Sequence, residues 1–364
     1  MNSGYQIAVL PGDGIGPEVV NEAIKVLELL KKLDSSLNIE FETFDWSSEY
    51  YLEHGHIMPP NGLEKLKEYD AILFGAIGDH RVSDEVTIWQ LIMPIRKQLQ
   101  QYINFRPVKL LKGVSSPLKN GHDIDFVIIR ENAEGEYSNS GGRLYHGAEE
   151  EIAVQNTIIT RLGTAKCANY AFEYAEKHGK RKVTSATKSN AIIHSMKLWD
   201  EVVDEVSGNY SSISLESYYI DALAAYFVSK PAEFDVVVAS NLFGDILSDL
   251  GSAVVGGLGL SPSANINPEG DFPSMFEPVH GSAPDIAGKG IANPIAQIWS
   301  AALMLEYLGR EDLGALIVES IEQVLLSREV RTPDLGGTST TSEMGTAICD
   351  AIHQKLLREK VDKL

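Results

Sequence analysis

Residues 7–32 read IAVLPGDGIGPEVVNEAIKVLELLKK, which is an apolar run, a glycine-rich turn and a stretch with helical periodicity. Four successive apolar residues bounded by a turn are typical of a buried strand. Pro17 suits the first turn of a helix, where its missing N–H leaves no partner unsatisfied. The order of strand, turn and helix predicts the first unit of an open α/β sheet.

The glycines of this turn, Gly12, Gly14 and Gly16, differ in spacing from the dinucleotide fingerprint. That fingerprint is G-x-G-x-x-G, with an acidic residue about 20 positions further on for the ribose. Here the third glycine comes one position early. Glu40 and Glu42 lie in the window for the acid but carry little weight among 51 acidic residues. The spacing favours a tight structural turn over a phosphate cradle.

The alternation of strand-like and helix-like segments continues along the chain and predicts an α/β fold with at least partly parallel strands. No linker rich in Pro, Gly or Ser marks a boundary, so two domains would share the chain by crossing back and forth. The strand-like segments are AILFG (71–75), DFVIIRE (125–131), VTSATK (183–188) and DVVVAS (235–240), and the helix-like ones lie near 87–100, at IIHSMKLWDEVVDEV (192–206) and at LFGDILSDLGSAV (242–254).

Residues 138–160 depart from this pattern, because a Gly-rich turn is followed by a β-type run with no helix beside it. An ordinary surface hairpin is the commoner explanation of such a segment. The alternative is an arm that pairs with a second chain.

Composition excludes several classes of partner. The 364 residues, 44% of them hydrophobic, are enough for two domains with sizeable cores. A formal charge of −20 repels nucleic acid and anionic lipid, so neither is an expected partner. No apolar run has the length of a membrane span, and Cys167 and Cys349 lack the spacing of a disulfide framework or a zinc site. We expect a soluble, cytoplasmic protein.

Asp245 and Asp249 give the sharpest chemical signal. They lie four residues apart in SNLFGDILSDLG (240–251), after a predicted strand, so a helix would place both on one face at the sheet edge where ligands bind. Two exposed acids are the simpler explanation, but the surrounding residues are mostly apolar. A hard divalent cation would relieve their repulsion, and oxygen ligands favour Mg²⁺ or Mn²⁺ over zinc. Asp221, in SYYIDALAAYF (217–227), fits equally as a helix N-cap or as a third ligand.

Arg96, Arg106 and Arg130 stand out against the acidic background. Arg130 closes an apolar strand and must find an anion there, because an unpaired buried charge is costly. Its simplest partner is the adjacent Glu131 or another internal acid. The three arginines together favour recognition of a carboxylate or a phosphate.

The remaining candidates for a functional role are Lys188, Tyr137 and a long loop. Lys188 follows a short strand, where partial desolvation would lower its pKa toward that of a useful base. The alternative is that Lys188 and Tyr137 each form only local hydrogen bonds. The loop FEPVHGSAPDIAGKGIANP (276–294) offers amides to a ligand, and the helix after it could meet phosphates. Asp285 is placed to hold ribose hydroxyls. An ordinary surface loop is the alternative.

The chain resembles the β-decarboxylating dehydrogenases, which act on isopropylmalate, isocitrate, homoisocitrate, and tartrate or D-malate. The resemblance is carried by GDGIGPE (12–18), the three arginines, NLFGDILSD (241–249) and above all EPVHGSAPDIAGKGIANP (277–294). The resemblance extends from about residue 6 to 355. It implies an isopropylmalate dehydrogenase-like α/β fold with two interleaved domains, a mixed sheet and, at about 138–160, a β arm that clasps the mate in a homodimer. The implied domains are a cofactor-binding domain, 1–101 and 256–364, and a domain for substrate, metal and dimerisation, 102–255.

The resemblance also implies a role for each candidate residue. Arg96, Arg106 and Arg130 would bind the substrate carboxylate that is later lost. Asp245 and Asp249, with the partner subunit's Asp221, would hold Mg²⁺ or Mn²⁺, the partner subunit's Lys188 would take the hydroxyl proton, and Tyr137 would protonate the enolate. A monovalent cation such as K⁺ is left open as a further cofactor. The expected cofactor-binding residues are Ile15, Glu277, His280, Gly281, Ser282, Ala283, Asp285, Ile286 and Asn293.

Details of the resemblance favour NAD and a small hydroxy-acid substrate. Relatives that use NADP place a lysine and a tyrosine where this chain has Asp285 and Ile286, and an aspartate accepts a hydrogen bond from a free 2′-hydroxyl. Isocitrate enzymes place serine and asparagine ahead of the first arginine, where this chain has Trp89, Gln90 and Ile92.

The isopropylmalate enzymes differ too, since they typically show leucines in that region and a REL-type run after the third arginine, where this chain reads RENAEGEYS (130–138). WSSEYYLEHGHIMPP (46–60) and TSATKSN (184–190) resemble the tartrate and D-malate group, and Trp89 would suit a small C3 substituent. Two alternatives stay open, a 3-isopropylmalate dehydrogenase and a non-catalytic regulator that binds metal and nucleotide on the same fold.

Overall fold

The fold consists of one large mixed sheet with helices on both faces and a separate two-stranded hairpin. The computed structural model describes residues 4–119 and 121–362. The strands are β1 (Tyr5–Gly12), β2 (Ile39–Thr43), β3 (Ala71–Ala76), β4 (Ile103–Lys109), β5 (Asp125–Glu131), β6 (Gly141–Leu144), β7 (Ile152–Gln155), β8 (Lys182–Thr187), β9 (Ser214–Tyr219), β10 (Val236–Ala239), β11 (Pro262–Ile266) and β12 (Ser274–Pro278).

The helices follow the strands in the alternation that the sequence predicts. The α-helices are α1 (Gly16–Leu33), α2 (Ser48–His54), α3 (Gly62–Leu66), α4 (Asp84–Thr87), α5 (Met93–Gln98), α6 (Arg161–Lys177), α7 (Ser195–Ser207), α8 (Ile220–Ser229), α9 (Asn241–Val254), α10 (Ile295–Tyr307), α11 (Glu311–Ser327) and α12 (Thr341–Asp362). Short 3₁₀ turns occur at Glu136–Ser138, Pro231–Glu233, Leu258–Leu260 and Pro333–Leu335.

The helical run expected near 87–100 is interrupted by a π-helical segment. The segment Ile88–Ile92 lies between α4 and α5 and contains Trp89. Pro94 follows in the first turn of α5, where it cannot donate a backbone hydrogen bond. Single π turns of this kind interrupt α-helices and often occur at functional sites.

The large sheet has ten strands in the order β2-β1-β3-β12-β11-β4-β5-β10-β8-β9. Its strands are parallel except at three neighbouring pairs, β12–β11, β11–β4 and β4–β5. The five strands on one side come from the two ends of the chain, and the five on the other come from its middle. The two sets meet where β11 pairs with β4, with Ala264 opposite Phe105 and Asn265 opposite Asn104.

The core lies on both faces of this sheet. All six residues of β3 are buried, as expected for a central parallel strand covered on both sides. At β4, Phe105 packs its ring edge-on against Tyr174 of α6, with centroids 5.2 Å apart. The next residue, Arg106, points to the opposite face, where its guanidinium donates to Ser248 of α9. Helices α6 and α9 therefore cover opposite faces of the sheet.

The glycine-rich turn between β1 and α1 is structural, as its spacing predicts. Gly12 and Gly14 both have positive φ. The N–H of Asp13 donates to the carbonyl of Ala76 (2.7 Å), and the N–H of Ile15 donates to the carbonyl of Ser282 (2.9 Å). Because protein carbonyls already occupy these amides, the turn is not a phosphate cradle.

The hairpin formed by β6 and β7 stands apart from the large sheet. All eight residues of its two strands are exposed, among them the apolar Leu144, Ile152 and Val154. A lone two-stranded hairpin is marginally stable in water. Its exposed apolar side chains therefore indicate a surface that another element covers.

Within residues 4–119 and 121–362, no helix has the length and apolarity needed to cross a membrane.

Candidate active site

The structure brings two of the three predicted arginines to the predicted aspartate pair. Arg106 in β4 and Arg130 in β5 point to the face of the sheet that α9 covers. Nη1 of Arg130 lies 2.5 Å from Oδ1 of Asp245. Nη1 of Arg106 lies 3.5 Å from the same oxygen and 3.7 Å from Oδ1 of Asp249. The four side chains form one cluster of opposite charges, which we call the arginine–aspartate cluster.

Arg130 is held by α9 and not by its neighbour in sequence. Oδ1 of Asn241 accepts hydrogen bonds from Nε and Nη2 of Arg130, at 3.2 and 2.7 Å. Of the two partners expected for Arg130, Glu131 or another internal acid, the structure shows the second, Asp245. Glu131 does not pair with Arg130, because successive residues of a strand point to opposite faces. Glu131 instead accepts backbone N–H groups of Ala133 (2.7 Å) and Glu134 (3.0 Å).

Burial and the arginines move the pKa values of the two aspartates in opposite directions. Burial alone would raise the pKa of Asp245, but the positive charges of Arg130 and Arg106 outweigh it, so this pKa lies below its ordinary value. For Asp249 burial outweighs Arg106, and the pKa lies above its ordinary value. Desolvation and the neighbouring Arg106 lower the pKa of Arg130 to about 10. Asp245 is the carboxylate that stays ionised most readily.

Tyr137 contacts the arginine–aspartate cluster. It lies in the 3₁₀ turn after β5, and its hydroxyl is 3.1 Å from Oδ2 of Asp245. Burial and the negative charge of Asp245 raise the pKa of this hydroxyl. Nζ of Lys97, on α5, donates to the main-chain carbonyl of Tyr137 at 3.0 Å and lies 5.6 Å from the ring centre of Trp89.

Arg96 approaches the cluster from the other half of the sheet. Its Nη2 lies 2.9 Å from Oε1 of Glu277, which also accepts a hydrogen bond from Nδ2 of Asn265 at 2.6 Å. Glu277 was expected near the cofactor, and in the structure its carboxylate is engaged by an arginine and an amide.

Lys188 and Asp221 contact each other at a separate place. Nζ of Lys188 donates to Oδ1 of Asp221, and this hydrogen bond lowers the pKa of the carboxyl. Asp221 is not the N-cap of α8, because that position is Tyr219. Across the described part of the chain, the Lys188–Asp221 pair has no ion pair or hydrogen bond with Asp245 or Asp249, and no three His, Cys, Asp or Glu residues are grouped to hold a metal. One chain therefore presents the predicted metal and proton-transfer groups as two separate sets.

The donor chemistry of these sets fits a hard divalent cation. Asp245 and Asp249 supply carboxylate oxygens from one helix face, and Asp221 offers a carboxylate whose side chain is 68% exposed. Oxygen ligands of this kind suit Mg²⁺ or Mn²⁺.

The loop between β12 and α10 contains most of the predicted cofactor-binding residues. Ile15 packs with Ala283 and Ile286, so the loop rests on the β1–α1 turn. Nδ1 of His280 contacts the carbonyl of Gly281 at 2.9 Å, whereas its buried Nε2 has no partner among the described residues. Asp285 is exposed. The unpaired buried nitrogen of His280 and the exposed carboxylate of Asp285 lie on the same loop, and both fit a nucleotide with hydrogen-bonding groups.

Asn293 has a structural role at the end of the same loop. Its Oδ1 accepts the N–H of Ile295 (3.0 Å) at the start of α10, and its Nδ2 donates to Asp334 (2.9 Å). Both ends of its amide are therefore occupied within the chain.

Sequence reasoning missed three small residues of α9 that support the arginines. Asn241, Gly244 and Ser248 are buried on one face of the helix. A Cβ atom at Gly244 would lie 2.6 Å from Cγ of Arg130, so only glycine leaves room for this side chain. Spacings of three and four residues are the signal that could have identified them, because such residues share a helix face.

Comparisons with known proteins identify the family of the chain. Residues 6–348 match the family described as isocitrate/isopropylmalate dehydrogenase. The chain is 51% identical over 358 residues to a tartrate dehydrogenase/decarboxylase of Pseudomonas putida, covering 96% of this chain and 98% of that protein. It is 48% identical over 361 residues to the decarboxylating D-malate dehydrogenase of Escherichia coli strain K12, covering 97% and 99% of the two chains.

A solved structure gives the same result for the fold. The isocitrate dehydrogenase from Methylococcus capsulatus superposes with a TM-score of 0.87 at 33% sequence identity, over 96% of this chain and 99% of that one. From the matched family, the two relatives and this superposition, the chain belongs to the isocitrate/isopropylmalate dehydrogenase family.

Proposed function

We propose that the protein is an NAD-dependent and divalent-metal-dependent dehydrogenase that oxidises a small 2-hydroxy dicarboxylic acid, D-malate or tartrate, and releases the β-carboxylate of D-malate as CO₂. The observation that carries this proposal is the arginine–aspartate cluster, in which Arg106 and Arg130 converge on Asp245. The names of the two relatives, tartrate dehydrogenase/decarboxylase and D-malate dehydrogenase, support the substrate class.

The arginines bind the substrate in this proposal. Arg106 and Arg130 are almost fully buried, so their guanidinium groups are poorly solvated and bind a carboxylate strongly. Arg96 adds a third guanidinium, which Glu277 and Asn265 hold in place. In this proposal the three arginines bind the carboxylate of the dicarboxylic acid that is later lost.

Asp245 and Asp249, with the partner subunit's Asp221, would hold Mg²⁺ or Mn²⁺. Such an ion, when bound, polarises the hydroxyl and the adjacent carboxylate of the substrate, and NAD accepts the hydride. The exposed carboxylate of Asp285 would bind the ribose hydroxyls and would repel a 2′-phosphate, so we propose NAD over NADP.

The proton-transfer roles follow from the chemistry of two side chains. The partner subunit's Lys188 would accept the proton of the substrate hydroxyl. Tyr137 would donate its phenolic proton to the carbon from which CO₂ departs. A tyrosine hydroxyl at its ordinary pKa is protonated at neutral pH, so Tyr137 is available as a donor.

We propose a homodimer in which each active site is shared. Lys188 and Asp221 lie apart from the arginine–aspartate cluster within one chain, and the exposed hairpin of β6 and β7 offers an apolar surface to a second chain. The two sets of five strands support a division into a cofactor-binding domain, 1–101 and 256–364, and a substrate, metal and dimerisation domain, 102–255.

The experiment that tests the substrate is a comparison of kcat/KM for D-malate, L-tartrate, meso-tartrate and 3-isopropylmalate with NAD and Mn²⁺. We expect D-malate or a tartrate to exceed 3-isopropylmalate, because the bulky Trp89 would suit a small C3 substituent. A preference for 3-isopropylmalate would overturn the substrate assignment. If no substrate yields NADH with metal present, the proposed enzyme activity is wrong and a binding role takes its place.

A further inference from the structure

A cavity of about 450 Å³ lies on the face of the sheet opposite the arginine–aspartate cluster. On one side it is lined by α6, with Tyr170 and Tyr174, and on the other by α10, with Leu303 and Glu306. Its floor is formed by β4, β11 and β12. Because α6 comes from the middle of the chain and α10 from its C-terminal part, the cavity spans the junction between the two halves of the sheet.

Three strands connect the floor of this cavity with the groups proposed to bind substrate. In β4, Phe105 lines the cavity and the next residue is Arg106. In β12, Phe276 lines the cavity and the next residue is Glu277, the partner of Arg96. Neighbouring strand residues point to opposite faces. A molecule in the cavity therefore lies directly behind the substrate-binding arginines.

The same relationship holds in β11, where Ala264 and Ile266 line the cavity and Asn265 lies between them. Asn265 donates to Glu277 and accepts from Asn104 and Asn132 on the active-site side of the sheet.

The lining combines aromatic rings with carboxylates. Tyr174 lies between the ring of Phe105 and the imidazole of His178, whose centroid is 4.1 Å away. The hydroxyls of Tyr170, Tyr174 and Tyr307 have no hydrogen-bond partner among residues 4–119 and 121–358. Such hydroxyls and aromatic faces are suited to a ligand that has both an apolar body and a polar group.

Glu306 supplies a negative charge to the cavity. Its carboxyl has no ion pair or hydrogen bond with any described side chain, and burial, reinforced by Glu311, raises its pKa to about 7 despite the charges of Lys109 and Lys177. Glu173 and Glu311 also line the cavity, so three carboxyl groups face one lysine, Lys177, and one histidine, His178. A poorly solvated carboxylate without a partner gains most from a ligand that brings a positive charge.

We propose that this cavity binds a small organic monocation, a primary ammonium on an aromatic or branched apolar body, and that its binding changes the activity of the site on the other face of the sheet. The ammonium pairs with Glu306 and faces the tyrosine rings, and the apolar body fills the space between Phe105 and Phe276. Because the ligand contacts α6 and α10 together, it links the two halves of the sheet. The activity part of this inference rests on the proposed function, whereas the binding part does not.

Binding is tested with three probes that share a phenyl body and differ in charge: 2-phenylethylammonium, 2-phenylethanol and 3-phenylpropionate. We expect calorimetric titration of the full-length protein at about pH 8 to show the ammonium binding at least about tenfold more tightly than the other two, a difference expected of one charge pair that is partly desolvated. Equal affinities for the three probes would overturn the proposal.

Substitutions locate the bound probe. Glu306→Gln is expected to weaken binding of 2-phenylethylammonium at least about tenfold, and Tyr174→Ala to weaken it through loss of the ring face. Glu64→Gln, an exposed acid on α3, is the matched control and should leave the affinity unchanged. Circular dichroism verifies that each variant is folded. Unchanged binding in folded Glu306→Gln and Tyr174→Ala would place the probe elsewhere and show that the cavity is not its binding site.

Coupling is measured by the initial rate of NADH formation at saturating 2-phenylethylammonium. We expect a change of at least about twofold in the wild type and none in Glu306→Gln at the same probe concentration. A rate that the bound probe does not alter would overturn the coupling and leave the binding site standing. If the protein forms no NADH with any substrate, the proposed function fails, and the calorimetric titrations still decide whether the cavity binds the cation.

Discussion

Nη1 of Arg130 lies 2.5 Å from Oδ1 of Asp245, so a proposed substrate-binding group and a proposed metal ligand neutralise each other directly. Arg130 has no other ion pair among the described residues, and an unpaired buried charge is costly, whereas Asp245 also lies 3.5 Å from Nη1 of Arg106. A metal ion at Asp245 and a carboxylate at Arg130 would replace this ion pair with two new ones. The geometry therefore links the binding of the metal to the binding of the acid substrate.

Substitution of Asp245 by Asn tests this link. The amide keeps an oxygen that can accept from Arg130, but it removes the negative charge that a divalent cation needs. We expect the apparent affinity for Mn²⁺ in the activity assay to fall at least about tenfold, with a large loss of rate. Asp204→Asn, an exposed acid of α7, serves as the control. An unchanged metal titration in Asp245→Asn would remove Asp245 from the metal site.

The contact between the β1–α1 turn and the cofactor loop gives a second prediction. A Cβ atom at Gly14 would lie 1.9 Å from the carbonyl oxygen of Ser282, so Gly14→Ala must displace the loop that contains His280 and Asp285. We expect the KM for NAD to rise at least about tenfold, because misplaced contacts weaken cofactor binding.

The control for this experiment is Gly288→Ala. Gly288 has a similar positive φ of 75°, but an added Cβ would meet no atom within 4 Å. It therefore carries the backbone cost of alanine in this conformation without the clash. If both variants change the KM for NAD equally, the effect comes from backbone strain and the contact with Ser282 is not responsible.

The sequence predicts many of the helices and strands because local patterns specify them. Apolar runs and helical periodicity identify β3, β5, β10 and α9, and the spacing of Asp245 and Asp249 places them on one helix face. The loop after β12 is recognised by its glycines and small residues.

Other features depend on contacts that no local pattern specifies. The partners of Arg130 are Asn241 and Asp245, 111 and 115 positions away, and their choice over Glu131 depends on which side of β5 faces α9. The antiparallel insertion of β11 between β12 and β4 depends on how distant segments pair. The contact between Lys188 and Asp221 likewise joins two segments 33 residues apart.

Glu131 provides a prediction for stability against pH. Burial raises its pKa from 4.5 to about 7, although the N–H groups of Ala133 and Glu134 and the charge of Arg130 act in the opposite direction. The folded state therefore holds the proton more strongly than the unfolded state, and stability falls as the pH rises from about 4.5 to about 7. The expected loss from this group is about 3 kcal/mol.

Glu131→Gln isolates this contribution. The amide keeps an acceptor for the two N–H groups but does not ionise. As the pH rises from about 4.5 to about 8, the free energy of unfolding of the variant should therefore increase relative to that of the wild type. Urea denaturation at several pH values measures the difference. A difference that does not change with pH would show that Glu131 is already ionised in the folded protein at low pH.

The last prediction concerns the sharing of active sites between subunits. Lys188→Met removes the proposed proton acceptor, and Asp245→Asn removes a proposed metal ligand, so each homodimer should be nearly inactive. In a mixed dimer, a shared arrangement places both substitutions in one site and leaves the other site intact. Random pairing of equal amounts of the two chains should therefore restore roughly a quarter of the wild-type activity.

Lys188→Met paired with Asp221→Asn is the matched control. These two residues contact each other within one chain, so they belong to the same side of a shared site, and each site of the mixed dimer keeps one substitution. This pair should recover no activity. If Lys188→Met with Asp245→Asn also recovers none while mixed dimers form, then each chain completes its own site, and Lys188 and Asp221 must reach the arginine–aspartate cluster by a movement within the chain.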